Sequence, residues 1–324
     1  MRAIQIQKTG GPEVLELVEL PIPKPGADQV LVKIVASGVN FIDTYFREGR
    51  YPAALPFIPG QEAAGTVVEL GKDVTGFAVG EHVAWNGTRG TYAEYALAPA
   101  ADLLKVPAGM NLDDAAAVLL QGLTAHYLAY DTYKIQSGDT VLVHAGAGGV
   151  GLLLTQIARM LGAHVITTVS TEEKAALSRE AGAEHVVLYT QADFVVAVKE
   201  ITGGKGLPVV YDSVGKTTFE DSLKCLRPRG LMALYGGSSG AVPPYDLIKL
   251  STQGSLYVTR PTLKDYVQTR AELEWRAQDV FGWVASGELK VRIGHRYKLA
   301  DAKLAHEDLC GRKTTGKVLL TMEA

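Results

Sequence analysis

Cysteine is scarce. The chain holds two, Cys225 and Cys310, far apart and without metal-ligand spacing. That argues against a disulfide scaffold and fits a reducing compartment. No charge of one sign dominates: 32 Lys and Arg face 35 Asp and Glu, a net charge of −3, with no basic block. Nucleic acid and anionic membrane are therefore disfavoured as main partners. No apolar run reaches the roughly 18 residues of a transmembrane helix. The start, "MRAIQIQKTGGPEVLELVEL", lacks the basic region and apolar run of a secretory signal. A cytoplasmic protein is expected. Internal repeats and low-complexity linkers are also missing. What is present is ordinary for a globular protein with a real core: 47% hydrophobic and 21% charged residues over 324 positions, long enough for two domains.

The first third reads as β-rich. "RAIQIQK", "QVLVKIVASG", "GTVVELG" and "TYAEYALAP" alternate or carry β-branched runs, with turns at "GG", "PIPKPG" and "GKD". At "NLDDAAAVLLQGLTAHYLAYDTY" the period becomes helical, with Asn111 or Asp113 as the cap. After Gly138, short apolar runs alternate with helical stretches: "TVLVHAG" then "GLLLTQIARMLG", "HVITTVS" then "TEEKAALSREAG", "HVVLYT" then "DFVVAVKEITGG", "PVVYDSV" then "TTFEDSLKCLRP", and "GLMALYGG". That alternation implies α/β structure, a parallel sheet with helices on both faces. "SLYVTR" adds a sixth strand. A long helix is expected from Thr262 to about Ser286, then strand, helix and strand. A doubly wound domain therefore lies inside the chain, and the β-rich ends pack together as another.

Between "VLVHAG" and "GLLLTQIARMLG" lies G-x-G-x-x-G, at Gly146, Gly148 and Gly151. Alone the match is weak; with a strand before, a helix after and a strand following, it is a dinucleotide fingerprint. Gly146 allows the tight turn, Gly148 the approach of a pyrophosphate, and Gly151 the packing of helix on strand. N–H groups at the helix start, with Gly149 and Val150 among the residues there, bind the anion. The acid that would grip a ribose 2′-OH is missing from the tip of the second strand, Val169 and Ser170. Ser170 and Lys174 there suit a 2′-phosphate. One charge-assisted contact contributes roughly 1.5–3 kcal/mol, about ten- to a hundredfold in favour of NADPH. Glu172 and Glu173 read as solvent-facing first-turn residues.

"GDTVLVHAGAGGVGLLLTQIAR", "SGVNFIDTYFREGRYP", "GQEAAGTVVELG", "VYDSVG" and "GSLYVTRP" resemble the medium-chain dehydrogenase/reductase superfamily, in its quinone oxidoreductase, ζ-crystallin-like branch. The resemblance covers nearly the whole chain. It implies a GroES-like catalytic domain from residues 1–122 and 263–324, and a Rossmann NADPH-binding domain, a doubly wound parallel sheet, from residues 123–262, with the cofactor in the cleft between them. It places Thr124 and Tyr127 on the nicotinamide side. Tyr189 and Arg312 then join Ser170 and Lys174 at the 2′-phosphate. Ser213, Gly236, Gly237, Ser238 and Ser239, with Thr259 and Arg260, sit at strand ends where ligands bind in open α/β sheets. A homodimer is also implied. "GSLYVTR" is the last strand of its sheet, an edge that soluble proteins cover, most simply by a two-fold partner, or in a monomer by the long helix after Thr262 folded back over it.

The departures from the zinc members of the superfamily shape the chemistry. Those carry Cys where this chain has Asn40, and Gly-His-Glu where it has Gly60-Gln61-Glu62; "HVAWNGTRGTYAEY" holds no cysteine of a structural zinc lobe. The first domain is read as having no cysteine and a single histidine, His82, so no metal site is expected. Each of the seven histidines reads as structural or surface. Without a Lewis acid the acceptor must already be electron-poor. A quinone qualifies, taking a hydride or stepwise electrons and then a proton from water. The expected pocket segment is "NFIDTYFREGRYP": Asn40 bonds the acceptor oxygen or the nicotinamide ribose, Asp43 holds the network, and Tyr45 and Tyr51 stack on or bond a ring. Two other functions compete. One is an NADPH-dependent reductase of enones or enals, which needs a proton delivered to carbon. The other is an NADPH-binding structural or RNA-binding protein; the mildly acidic balance and missing basic patch count against RNA, and the polar pocket against a purely structural role.

Overall fold

The middle of the chain forms one sheet of six parallel strands. Their order is His185–Leu188, His164–Val169, Thr140–Val143, Leu207–Asp212, Leu226–Leu234 and Tyr257–Thr259. The coordinates are a computed structural model describing residues 1–322. The strand order reverses between Thr140–Val143 and Leu207–Asp212, which are paired neighbours. At that switch point the loops beyond the two strand ends diverge and leave a crevice for a ligand. The sheet is apolar on both faces, as helix-covered parallel sheets are: Leu142, Ile166, Val210 and Met232 are fully buried on one face with Phe219, Leu223 and Val198, and Val141, Val165 and Val209 on the other. Each such side chain contributes about 1.5–3 kcal/mol by leaving water.

The chain divides into two compact units, one of Met1–Leu120 with the segment from Thr269 onward, the other of Gln121–Gln268. The first holds a seven-stranded sheet around Gln29–Val39, which pairs with Glu62–Leu70, Tyr95–Pro99 and Lys317–Thr321. The last pairing sets Val318 opposite Val39, so a C-terminal strand completes an N-terminal sheet. Asn111 caps the helix Leu112–Tyr127, its Oδ1 accepting the Asp114 N–H at 2.7 Å.

Two elements differ from the sequence pattern. The expected helix from Thr262 is two pieces, a 3₁₀ turn Leu263–Tyr266 and a helix Arg270–Ser286. Thr269 takes the Glu272 N–H on its hydroxyl while the Glu272 carboxylate takes the Thr269 N–H. This reciprocal cap starts a new helix there. The helix read into "TTFEDSLKCLRP" covers only Phe219–Lys224, and "LRP" already belongs to the next strand. "NFIDTYFREGRYP" is largely helical, Phe41–Arg47, with Asn40 at its N-cap.

Candidate active site

The glycine loop joins strand Thr140–Val143 to helix Gly149–Met160, whose N-cap is Gly148. The residue in the left-handed region is Ala145, at φ +53, and not Gly146. Gly146 is required for a different reason: a Cβ there would lie 2.5 Å from Thr167 Cβ and 2.8 Å from Ser178 Oγ. The loop is pinned to the second strand by the Gly146 N–H, given to Thr168 O at 3.0 Å. Gly151 meets the Ala145 carbonyl, 2.3 Å from where its Cβ would stand. Gly149 has the Gln121 side-chain amide against it, 2.0 Å from a Cβ position. By contrast Gly148 has only Ala145 O nearby, at 3.2 Å. Space therefore lies over the first turn, where N–H groups lack intrahelical acceptors. An anion such as a dinucleotide pyrophosphate fits that cradle.

Beyond the second strand, Thr171 caps helix Glu172–Glu180 by accepting the Lys174 N–H, and Glu172 and Glu173 are exposed. Ser170 and Tyr189 lie close in the backbone: the Tyr189 N–H bonds Val169 O at 3.1 Å, and Thr190 Oγ1 bonds Ser170 O at 3.0 Å. Tyr189 is 41% exposed. These residues, with Lys174, surround a strand tip that carries no carboxylate. Arg312 belongs to the other unit, exposed, at φ +59 beyond the helix Ala302–Cys310.

The other strand ends are laced together. Ser238 N–H bonds Ser213 O at 3.1 Å and Ser239 N–H bonds Val214 O at 2.9 Å, which seats Gly236–Ser239 on the Ser213 turn. A Cβ on Gly236 would strike Ser213 O at 2.5 Å. Thr259 pairs with Ala233, and Arg260 gives a guanidinium N–H to Leu234 O at 3.0 Å. Thr124 and Tyr127 share a helix face and are buried; the Tyr127 ring stacks on Tyr266 with centroids 4.2 Å apart. Beneath the loop, His144 bonds Thr168 and Ser222, and Ser222 bonds the buried Asp212 carboxylate. Burial pushes the His144 pKa down, so the ring is neutral and structural.

In the first unit, Asn40 stands in a buried polar cluster. Its Nδ2 donates to Glu62 Oε2 at 2.9 Å, and its Oδ1 accepts from Lys317 Nζ at 2.9 Å. Lys317 also bonds Glu62 directly, and the second Glu62 oxygen accepts the Leu120 N–H at 2.6 Å. Asn40 is thus engaged at both ends of its amide; the remaining N–H points to Gly38 O at 3.4 Å. Asp43 accepts the Asn40 N–H at 2.9 Å and the Tyr92 hydroxyl at 3.1 Å. Tyr92 in turn is 3.0 Å from His306 Nε2, and His306 Nδ1 is 3.0 Å from Arg47. Arg47 has only donors. His306 Nδ1 is therefore the acceptor, Nε2–H donates to Tyr92, and Tyr92 donates to Asp43. Burial raises the Asp43 pKa to about 7; burial and then Arg47 hold His306 down to about 3. Tyr45 is buried under Arg50, 4.1 Å above its ring, and meets Tyr51 edge-on at 5.5 Å; Tyr51 is 37% exposed.

Sequence reasoning missed Lys317, Glu62, Tyr92, His306, Arg47 and Gln121. It also counted histidine and cysteine over the N-terminal segment alone, whereas His295, His306 and Cys310 belong to the same unit. Among the described residues no three His, Cys, Asp or Glu side chains converge as metal ligands. The available signal was a lysine at the head of the apolar strand "KVLLT" and a glutamate leading the small-residue run "EAAG".

A GroES-like unit with a parallel-sheet unit bearing this loop defines the class: a nicotinamide-nucleotide oxidoreductase of medium-chain dehydrogenase/reductase type. Residues 26–108 match the alcohol dehydrogenase GroES-like domain family, and residues 149–273 the zinc-binding dehydrogenase family. A quinone oxidoreductase of Pseudomonas aeruginosa is 46% identical, over 98% of this chain and 99% of its own length. A 2-haloacrylate reductase of a Burkholderia species is 44% identical, over 99% of each chain. The crystal structure of Escherichia coli quinone oxidoreductase complexed with NADPH superimposes with a TM-score of 0.97 at 45% identity, over 99% of this chain and 100% of that one. The chain belongs to the quinone oxidoreductase family.

Proposed function

We propose that this protein reduces quinones with NADPH and without a metal ion, in the cytoplasm and as a homodimer. The observation that carries the reading is the glycine cradle at the helix Gly149–Met160, joined to a second strand whose tip offers Ser170 and Lys174 and no acid. The cradle's N–H groups hold a pyrophosphate. Ser170, Lys174 and Tyr189 hold a 2′-phosphate. Thr124, Tyr127, Ser213, Gly236–Ser239, Thr259 and Arg260 hold the nicotinamide end. Bound there, the nicotinamide supplies a hydride.

The other groups orient and exclude. Glu62 and Lys317 fix the Asn40 amide in one rotamer, and its second N–H reaches an acceptor oxygen only by giving up the long 3.4 Å contact with Gly38 O. Asp43 sets the Asn40 backbone. Tyr51, exposed and edge-on to the buried Tyr45, offers a ring to a flat acceptor, and Tyr45 backs it. A quinone needs alignment more than acid catalysis, because the oxyanion formed takes its proton from water. Lys317 supports a metal-free site, since its ammonium already neutralises Glu62 beside Asn40. After dialysis against a strong chelator, NADPH oxidation by a quinone should be unchanged. Loss of rate restored by zinc would overturn this.

The second reading is reduction of activated alkenes, which the likeness to a 2-haloacrylate reductase supports. The dimer rests on strand Tyr257–Thr259, the open edge of its sheet, with Tyr257 60% exposed. Light scattering should give twice the chain mass. Tyr257→Pro, which removes a ladder donor, should shift it toward one chain mass.

A further inference from the structure

The far end of the parallel sheet carries a second concavity. It is an open cavity of about 700 Å³ lined by Lys205, Arg227, Pro228, Arg229 and Tyr257. Lys205 precedes strand Leu207–Asp212, Arg227 to Arg229 open strand Leu226–Leu234, and Tyr257 begins strand Tyr257–Thr259. All therefore lie at the N-terminal ends of parallel strands. The glycine loop and Gly236–Ser239 follow the C-terminal ends.

Two observations point to an anion. First, the cavity gathers three cations, and among the described residues no carboxylate forms an ion pair with any of them. Like charges that gather without a counter-charge repel one another, and that repulsion is relieved when an anion enters. Second, Arg229 stands at φ +62, in the left-handed region. It sits where the pairing of Leu226–Leu234 with Leu207–Asp212 shifts register, and its N–H bonds Gly254 O at 2.7 Å. Glycine adopts it without strain, and an arginine does not. A strained residue in a cavity of unpaired cations is a mark of binding. Arginine's planar fork suits the oxygens of phosphate.

We propose that this cavity is a binding site for a multiply charged phosphate-bearing anion, separate from the NADPH loop. Lys205 precedes one strand and Arg227 and Arg229 lie at the start of Leu226–Leu234, so none of the cations is on the open edge strand.

The test is calorimetric titration of inorganic diphosphate into NADPH-saturated protein at constant ionic strength. Saturating NADPH keeps diphosphate out of the glycine loop. Saturable binding is expected, about tenfold weaker in Arg227→Ala and in Arg229→Gly, the loss of one charge-assisted contact. Arg229→Gly should also melt at a higher temperature than the parent, since glycine relieves the backbone, so its loss of binding is not a loss of folding. Both variants should keep the parent's rate of NADPH oxidation. Absence of saturable binding in the parent would overturn the proposal, as would parental affinity in the two variants. Either failure leaves the quinone reductase reading untouched.

Discussion

The ammonium of Lys317 lies against the carboxylate of Glu62 with both side chains sealed from water, at 1% and 0% exposure. An ion pair so buried adds little net stability, but removing one partner strands the other charge. Lys317→Met should therefore cost about 3–5 kcal/mol, and adding Glu62→Gln should recover much of it. Urea unfolding of the single and double variants measures this. A Lys317→Met variant as stable as the parent would show that the pair carries no structural load.

Asp43 and His306 set opposing pH dependences through Tyr92. His306 is held near 3, below its unfolded value, so the folded state binds fewer protons and stability falls as pH drops below about 6.5. Asp43 is raised to about 7, so the folded state keeps a proton that the unfolded chain loses, and stability falls as pH rises from about 4 to about 7. Between roughly pH 4 and 6.5 the two slopes cancel. Asp43→Asn removes one of them. The variant should lose stability relative to the parent on acidification, by about 1.4 kcal/mol per pH unit. Parallel stability curves for the two proteins would contradict this.

Lys174→Ala should raise the Michaelis constant for NADPH about tenfold and leave that for NADH nearly unchanged. Initial rates with each nucleotide decide it. Equal losses with both would remove Lys174 from the 2′-phosphate.

The glycine loop separates two kinds of crowding. Gly151→Ala sets a methyl against the backbone carbonyl of Ala145, which cannot move without reshaping the turn. Gly149→Ala sets one against the amide end of Gln121, which can rotate away. NADPH affinity should fall at least about tenfold more in Gly151→Ala. Gln121→Ala should rescue Gly149→Ala only, as coupled neighbours do. Fluorescence titration of NADPH measures both.

The parallel sheet was legible because each strand and each helix announces itself within a dozen residues, and the glycine spacing falls where the two meet. Tyr189 and Arg312 came from resemblance to a family, not from local pattern. The polar cluster under Asn40 was illegible for a physical reason. Lys317 reaches Glu62 and Asn40, and His306 reaches Tyr92 and Arg47, across hundreds of residues of chain. Only the antiparallel pairing of Lys317–Thr321 with Gln29–Val39 brings Lys317 there. The left-handed Ala145 hid for a different reason, since neighbouring glycines were the obvious owners of that turn.

Reduction of a quinone at the expense of NADPH is the central claim, and its direct measurement is kcat/KM for a simple quinone and for an α,β-unsaturated ketone at saturating NADPH. The account predicts a value for the quinone at least about tenfold higher, a difference of roughly 1.4 kcal/mol in transition-state binding. An enone preferred over the quinone, or NADPH left unoxidised by any quinone, would contradict it.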